Sequence, residues 1–188
     1  MKPFTRTVPP VVARSCFILL LSSQITFTYS QHTNPPGQMD HAKPSVPSTQ
    51  LRIRGLTGES ITLTAPDLIA LPHKTVSVYN EHAKANEKYS GVAIVDLLKK
   101  VNTPSGETVR GKLLMTAVIA EGTDHYSVLY SLAETDPSIH TGDVIVADSL
   151  DGHPLDKDGL FKLVSTEERR PARWVRNLRR ISVIEVKP

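Results

Sequence analysis

The stretch Leu113-Leu-Met-Thr-Ala-Val-Ile-Ala120 decides the fold of this chain. It is apolar apart from one threonine, a pattern typical of a strand that is buried on both faces. The turn residues Glu121-Gly-Thr-Asp124 follow directly, and His125 to Tyr130 then returns as a second strand. The sequence therefore predicts a central strand at 113–120 with its neighbour at 125–130.

Short strands and short helices surround this pair in the sequence. Thr64-Ala-Pro-Asp67 has a capping threonine and a first-turn proline, so it predicts a brief helix that ends before Pro72. Val92 to Val101 has helical spacing, and Ser131-Leu-Ala-Glu134 has the capping-box form of one more turn. Further strands are predicted at 51–54, 60–64, 75–79, 143–147, 160–165 and 181–186. This pattern predicts an α+β fold, a β-rich mixed-sheet domain with short helices.

The N-terminal part is predicted to lie outside the folded domain. Residues 1–30 carry Lys2, Arg6 and Arg14 ahead of a short apolar run. This pattern is typical of a signal peptide, here one cleaved after Ser30. An uncleaved membrane anchor is the alternative, although the run is short for a membrane span. Residues 31–50 are rich in Pro, Ser, Thr and Gln, which indicates a disordered linker. The folded domain is therefore predicted at 51–188, periplasmic or secreted, with no stable membrane span after signal cleavage.

Composition excludes several classes of function. The formal net charge is +3, but the leader supplies three of the 22 basic side chains, and the remainder equals the 19 acidic ones. A neutral mature chain with 5% aromatic residues argues against a nucleic-acid partner. Cys16 is the only cysteine, so the predicted domain has no thiol. The seven histidines lack zinc-site spacing, and no nucleophile elbow or glycine-rich phosphate loop occurs.

Eight sequence segments occur in the order in which one protein family has them. They are TAPDLIALP at 64–72, YSGVAIVDLL at 89–98, EGTDHY at 121–126, SLAETDP at 131–137, DGHPL at 151–155, GLFKLV at 159–164, RRPARWVR at 169–176 and ISVIE at 181–185. With these segments, residues 51–188 resemble the oxidoreductase molybdopterin-binding domain, which has the sulfite oxidase fold. The resemblance is to small exported, stand-alone members of that family.

The resemblance implies a cofactor site that this sequence retains only in part. In catalytic members, molybdopterin and one protein cysteine hold molybdenum, and that cysteine follows the strand equivalent to Thr75–Tyr79. Residues 79–89 contain no cysteine here and are interpreted as a polar loop. His82 is a weak candidate metal ligand, with a solvated surface histidine as the alternative. The leader also lacks the paired arginines of a twin-arginine signal, so export is expected without a bound cofactor.

A cluster of arginines is the remaining candidate site. In the relatives that the resemblance points to, basic residues of the 169–176 segment hold the pterin phosphate. Arginine suits this role because its planar guanidinium binds phosphate oxygens bidentately. Arg173 precedes Trp174 as the family's basic residue does, so it is the first candidate; the others are Arg170, Arg169 and Arg176. The alternative is a solvated basic face that pairs with Glu167 and Glu168, and Trp174 is interpreted as a core residue.

Two functions from different classes follow from these features. The first is a non-catalytic binding module that uses the arginine cluster for a small anionic ligand, a pterin derivative or an envelope protein partner. The alternative is a molybdopterin-dependent oxidoreductase or a subunit of one, which the fold resemblance favours and the missing cysteine opposes. We expect no bound cofactor, with molybdopterin as the one that the resemblance implies. Whether the chain is an enzyme stays open at this point.

Overall fold

The computed structural model describes residues 46–81 and 83–187. Most of the elements in these ranges are short strands, as the alternating sequence patterns predict. The strands are Leu51–Arg54 (β1), Ser60–Leu63 (β2), Lys74–Asn80 (β3), Ala85–Ala93 (β4), Thr116–Gly122 (β5), Ser127–Ser131 (β6), Val144–Leu150 (β7), His153–Pro154 (β8), Lys162–Ser165 (β9) and Leu178–Glu185 (β10). The predicted signal peptide and most of the predicted linker lie outside the described residues. Ser48, near the end of that linker, is buried.

Helices are few and short. The α-helices are Ala65–Ile69 (α1) and Ile94–Lys99 (α2), and 3-10 turns occur at Gly106–Thr108, Gly111–Met115, Ala133–Thr135, Asp156–Asp158 and Pro171–Arg173. Asp67 accepts hydrogen bonds from the backbone N–H and hydroxyl of Thr64, which confirms the predicted start of α1. The predicted turn after Ser131 is also present, as a 3-10 helix. No helix among the described residues is long and apolar enough to cross a membrane.

The first sheet has the strand order β2-β1-β10-β5-β6. β1 runs parallel to β10, and the other neighbours are antiparallel. The prediction of a central strand at 113–120 is wrong about where the strand begins. It begins only at Thr116, because Gly111–Met115 forms a 3-10 helix that leaves Leu114 and Met115 about half exposed. β5 is an interior strand between β10 and its predicted neighbour β6, although the middle position of the sheet belongs to β10.

The second sheet has the strand order β3-β4-β7-β8, and β9 also pairs with β7. The interpretation of 79–89 as a polar loop is wrong, since β4 begins at Ala85 and pairs with β3 along its length. The first part of β4 is polar and mostly exposed, so its sequence lacks the apolar alternation that predicts a strand. A β-bulge between Ser90 and Gly91 then shifts the register of β4 against β7.

Two apolar clusters hold the sheets in place. The larger one combines strand residues of both sheets, such as Ile53, Val118 and Val146, with Leu97 and Leu98 of α2. The smaller one lies against the second sheet and includes Val76, Val78, Tyr89, Ile145 and Trp174. Trp174 is 8% exposed, packs edge-on against Tyr89 and donates its indole N–H to Ser165 O at 2.9 Å. Its interpretation as a core residue is confirmed.

Candidate anion-binding site

The candidate arginines lie on the segment 169–176, here called the arginine segment, which connects β9 to β10. Pro171–Arg173 forms one 3-10 turn. Trp174 and Val175 are buried directly after it, and Val175 exchanges backbone hydrogen bonds with Leu163 of β9. The segment is therefore fixed to the domain on both sides of its basic side chains.

Arg173, the first candidate, is held by several acceptors at once. Its guanidinium contacts Glu168 Oε1 at 2.6 Å, Glu134 Oε1 at 3.0 Å and the backbone oxygen of Leu129 at 3.3 Å. The same group lies over the ring of Tyr130, 4.3 Å from its centroid. Burial lowers the pKa of Arg173, but the two carboxylates more than offset this and raise it overall. Its pairing with Glu168 matches the alternative interpretation given from the sequence.

Arg169, Arg170 and Arg176 are arranged differently. Arg169 and Arg170 are exposed, and no ion pair joins either of them to another residue of the described part of the chain. The side chain of Arg176 is 68% exposed, and Asp158 Oδ1 lies 4.0 Å from its Nε. Asp158 is already bound by Lys162 at 2.5 Å, so it neutralises Arg176 only in part. These three guanidinium groups retain donors for an external anion.

A buried polar network that the sequence analysis missed lies beside Arg176. Lys162 is 6% exposed, and its Nζ donates to Tyr89 Oη at 2.8 Å as well as to Asp158. The Tyr89 hydroxyl donates in turn to Glu87 at 2.8 Å, and burial together with Glu87 raises the pKa of Tyr89. The sequence signal for this network is the single lysine inside the predicted apolar strand 160–165. A fully buried lysine is rare unless it is paired, so a lysine at this position indicates a buried partner.

Two more arginines, Arg179 and Arg180, share one carboxylate at the start of β10. Both bind Glu121, a residue of β5 that is 7% exposed, and His125 Nδ1 lies 3.3 Å from the same carboxylate. Burial raises the pKa of Glu121, but the hydrogen bonds and charges of the two arginines more than offset this and lower it overall. The 121–126 turn therefore serves as an anchor for β10.

The region that the resemblance associates with metal ligation is the connection between β3 and β4. Residues 81–84 read Glu-His-Ala-Lys, and none of them is a thiol. His82, the weak metal candidate, lies outside the described residues. Within 46–81 and 83–187, no group of three or more His, Cys, Asp or Glu side chains is arranged to hold a metal ion. The donor set of the described residues therefore does not fit a thiolate-ligated molybdenum.

Two open clefts share His73 in their lining, and no residue of the arginine segment lines either of them. One of about 270 Å³ is lined by Lys74, Asp96 and Asp143, among others. His73 directs Nδ1 at the backbone oxygen of Leu71 and Nε2 at Asp148, each at 2.7 Å. Burial lowers the pKa of His73, but these two acceptors more than offset this and raise it overall. Because both ring nitrogens face acceptors, the protonated imidazolium is the form that satisfies both contacts.

Comparison with known proteins identifies the fold. No protein-family model matches the chain, and no curated protein matches its sequence. The chain is similar to the crystal structure of the sulfane dehydrogenase SoxCD from Paracoccus pantotrophus, with a TM-score of 0.57 and 21% sequence identity. The match covers 73% of this chain and 38% of that chain, so this chain spans well under half of that structure's length. The likeness confirms the predicted fold, a β-rich α+β domain of the sulfite oxidase type.

Proposed function

We propose that this chain is a non-catalytic, molybdopterin-binding-like module that takes a small anionic ligand at the arginine segment. One observation carries the proposal. Arg169, Arg170 and Arg176 expose guanidinium groups that no nearby carboxylate fully neutralises, on a backbone fixed by Trp174. Exposed arginines on a rigid segment lose little conformational freedom beyond their own side chains when they bind, which favours anion capture.

The ligand class follows from the chemistry of these side chains. The planar guanidinium binds phosphate oxygens through two parallel hydrogen bonds, so a phosphate-bearing small molecule is the natural partner. The sequence resemblance to molybdopterin-binding domains makes a pterin derivative the first member of this class to test. Arg173 acts here as a positioning residue, because Glu134 and Glu168 already occupy its donors.

The proposal assigns no metal chemistry to the domain. A molybdenum site of the kind that the resemblance implies needs a thiolate, and the only thiol of the sequence is Cys16 in the leader. The alternative, a molybdopterin-dependent oxidoreductase or a subunit of one, requires a different protein ligand. We place the module in the periplasm or outside the cell, on the basis of the signal-like pattern of residues 1–30. An envelope protein that carries or delivers the anion is the proposed partner class.

The test measures thermal unfolding with inorganic phosphate and pyrophosphate, compared with sodium chloride at equal ionic strength. A ligand at one hundred times its Kd adds about 2.7 kcal/mol of stability, which corresponds to a rise in Tm of about 5 °C or more for a chain of this size. We expect this rise in the parent protein and its loss in the double variant Arg169→Ala/Arg170→Ala.

Arg110→Ala is the matched control. Arg110 is exposed and precedes the 3-10 helix Gly111–Met115, whose last residue contacts Val186 beyond the far end of β10. Removing the Arg110 side chain should leave the rise in Tm with phosphate intact. If the rise came only from the overall positive charge of the protein, it would weaken in both variants. A parent protein whose Tm is the same in phosphate, pyrophosphate and chloride would overturn the proposal.

A further inference from the structure

One face of the first sheet carries apolar side chains that the domain leaves exposed. The residues of this sheet that face the core include Ile53, Ile181 and Ala120, which lie side by side in the register of β1, β10 and β5. Because successive side chains of a strand point to opposite faces, the residues between these positions form the second face, here called the outer face.

Five hydrophobic side chains form one patch on the outer face. Ile119 of β5 lies directly opposite Leu129 of β6. Ile184 of β10 lies one row further along the sheet, and Val186 after it donates its backbone N–H to Met115 O at 2.8 Å. Ile119 is partly buried, and the other four side chains are 40–53% exposed. Contiguous apolar patches bordered by polar residues mark interaction sites on soluble proteins.

Two arginines of β1 border this patch. Arg52 and Arg54 are exposed, and Arg54 is in register with Ser182, the β10 residue that lies opposite Ile119. No ion pair joins Arg52 or Arg54 to another residue of the described part of the chain. Arg52 is also in register with Arg180, and like charges at such positions destabilise a sheet.

The described strands of the first sheet place one carboxylate on the outer face, that of Glu121. Arg179 and Arg180 both bind it, and Glu121 is 7% exposed. Its two oxygens are already occupied, so the described part of the domain provides no ion-pair partner for Arg52 or Arg54. The outer face therefore combines an exposed apolar patch with positive charge that the domain does not neutralise.

We propose that the outer face binds a protein partner that covers the apolar patch and places carboxylates against Arg52 and Arg54. Burial of the apolar side chains supplies affinity, and the charge pairs fix the orientation of the partner. Arginine and methionine are among the residue types enriched at protein interfaces, and the outer face has both. No residue of the arginine segment belongs to the outer face, so this partner is independent of the anion proposed there.

Two other occupants fit the outer face less well. A second copy of this chain brings no free carboxylate, because the one on its own outer face is that of Glu121. A lipid surface is disfavoured because the strands place no tyrosine or tryptophan on the outer face, and these are the side chains that favour the membrane interface.

The size of the outer face indicates a transient complex. From β1 to β6 it is about 14 Å wide, and from Arg180 to Val186 it is about 20 Å long. Its area of about 300 Å² is well below the roughly 800 Å² that each partner buries in a standard interface. We therefore expect reversible binding that weakens at high ionic strength.

Photo-cross-linking tests the partner and the role of the arginines. The full chain carrying Cys16→Ser and Leu129→Cys is labelled with a benzophenone maleimide and irradiated in a protein extract of the native host. We expect a discrete adduct with one host protein, reduced at least about tenfold by Arg52→Glu/Arg54→Glu, because like charges would then face each other. Ile69→Cys, which labels an exposed residue of α1, is the position control and should give no such adduct.

Charge reversal on the partner tests complementarity directly. Mass spectrometry of the adduct locates the cross-linked segment, and exchange of its acidic residues for lysine should restore the adduct with Arg52→Glu/Arg54→Glu. The charge control is Lys84→Glu/Lys88→Glu in the hairpin of β3 and β4, which should keep the adduct of the parent. The Arg52→Glu/Arg54→Glu variant should also keep the Tm of the parent and its rise with phosphate, so the outer face and the anion site are tested separately.

Three results would overturn the proposal. A cross-linked dimer of the chain as the main product would assign the outer face to a second copy. Binding of the parent to phosphatidylglycerol vesicles, lost in Arg52→Glu/Arg54→Glu, would assign it to a lipid surface. The absence of an adduct at Leu129→Cys, or an adduct of equal yield after reversal of the two arginines, would show that no partner of complementary charge binds there.

Discussion

Arg173 and Arg170 differ in their surroundings although only three positions separate them. The guanidinium of Arg173 reaches two carboxylates, one carbonyl and one aromatic ring, and all of these partners come from elsewhere in the chain. Arg170 has no ion-pair partner within the described ranges. The two side chains therefore differ in how many of their donors the domain itself satisfies. Position within the motif alone does not separate them.

His73 gives a prediction about pH. Its pKa is raised in the folded state because Asp148 and Leu71 outweigh the effect of burial. The stability that it contributes is therefore fully present below its unfolded pKa, about 6.5, and is lost as pH rises through the higher folded value. We expect His73→Gln to lower the free energy of unfolding by about 1 kcal/mol at pH 5.5, and by clearly less at pH 8.5.

Urea denaturation at both pH values measures this difference. Asp148→Asn is the matched variant, because it removes the acceptor of Nε2 and leaves the histidine in place. It should abolish the same pH-dependent part of the stability. A His73→Gln effect of equal size at pH 5.5 and 8.5 would contradict the assignment of the charged imidazolium.

The pairing of β4 with β7 depends on a single glycine. A Cβ at Gly91 would lie 2.1 Å from Val146 O and 2.4 Å from Ala147 Cα, so any side chain there must push the two strands apart. Gly91 also belongs to the YSGV motif quoted from the sequence, and close backbone approach at the bulge is the physical reason for a glycine there.

We therefore expect Gly91→Ala to destabilise the domain by about 3 kcal/mol, since overpacking against backbone cannot relax by a change of rotamer. Ser90→Ala on the preceding residue is the control, with an expected change within about 0.5 kcal/mol. Chemical denaturation monitored by the fluorescence of Trp174 reports both variants, because that side chain packs in the cluster beside β4. A Gly91→Ala variant as stable as the parent would show that the strands separate at no cost.

How far the sequence predicts these elements depends on how local their determinants are. α1 was found correctly because the contact between Thr64 and Asp67 lies within one helical turn. β4 was missed because its polar half is stabilised by backbone pairing with β3, which leaves no apolar alternation to detect. The predicted start of β5 at residue 113 is wrong because the apolar residues 113–115 are equally compatible with the end of a 3-10 helix and with the start of a strand.

Arginine density marks the candidate segment in the sequence, but the surroundings of each arginine do not follow from it. The partners that separate Arg173 from its neighbours include Glu134, which lies 39 positions away. The network of Lys162 likewise depends on Tyr89, 73 positions away. Contacts at this sequence separation are set by the packing of the two sheets, and a single sequence gives no pairing rule for them.

The molybdenum and pterin content of the purified protein distinguishes the binding module from the oxidoreductase. In the relatives that the sequence resembles, the cysteine that ligates molybdenum follows the strand equivalent to β3, and residues 46–188 contain no cysteine. We expect the protein purified from its native host to contain molybdenum and pterin far below one per chain, measured by elemental analysis and by fluorescence of the oxidised pterin. Pterin without metal would support the proposed anion site, because binding of the phosphate end by the arginines would need no metal. Molybdenum and pterin at one per chain would instead favour the oxidoreductase, and substitution of His82, in the connection between β3 and β4, would then be the experiment that identifies the ligand.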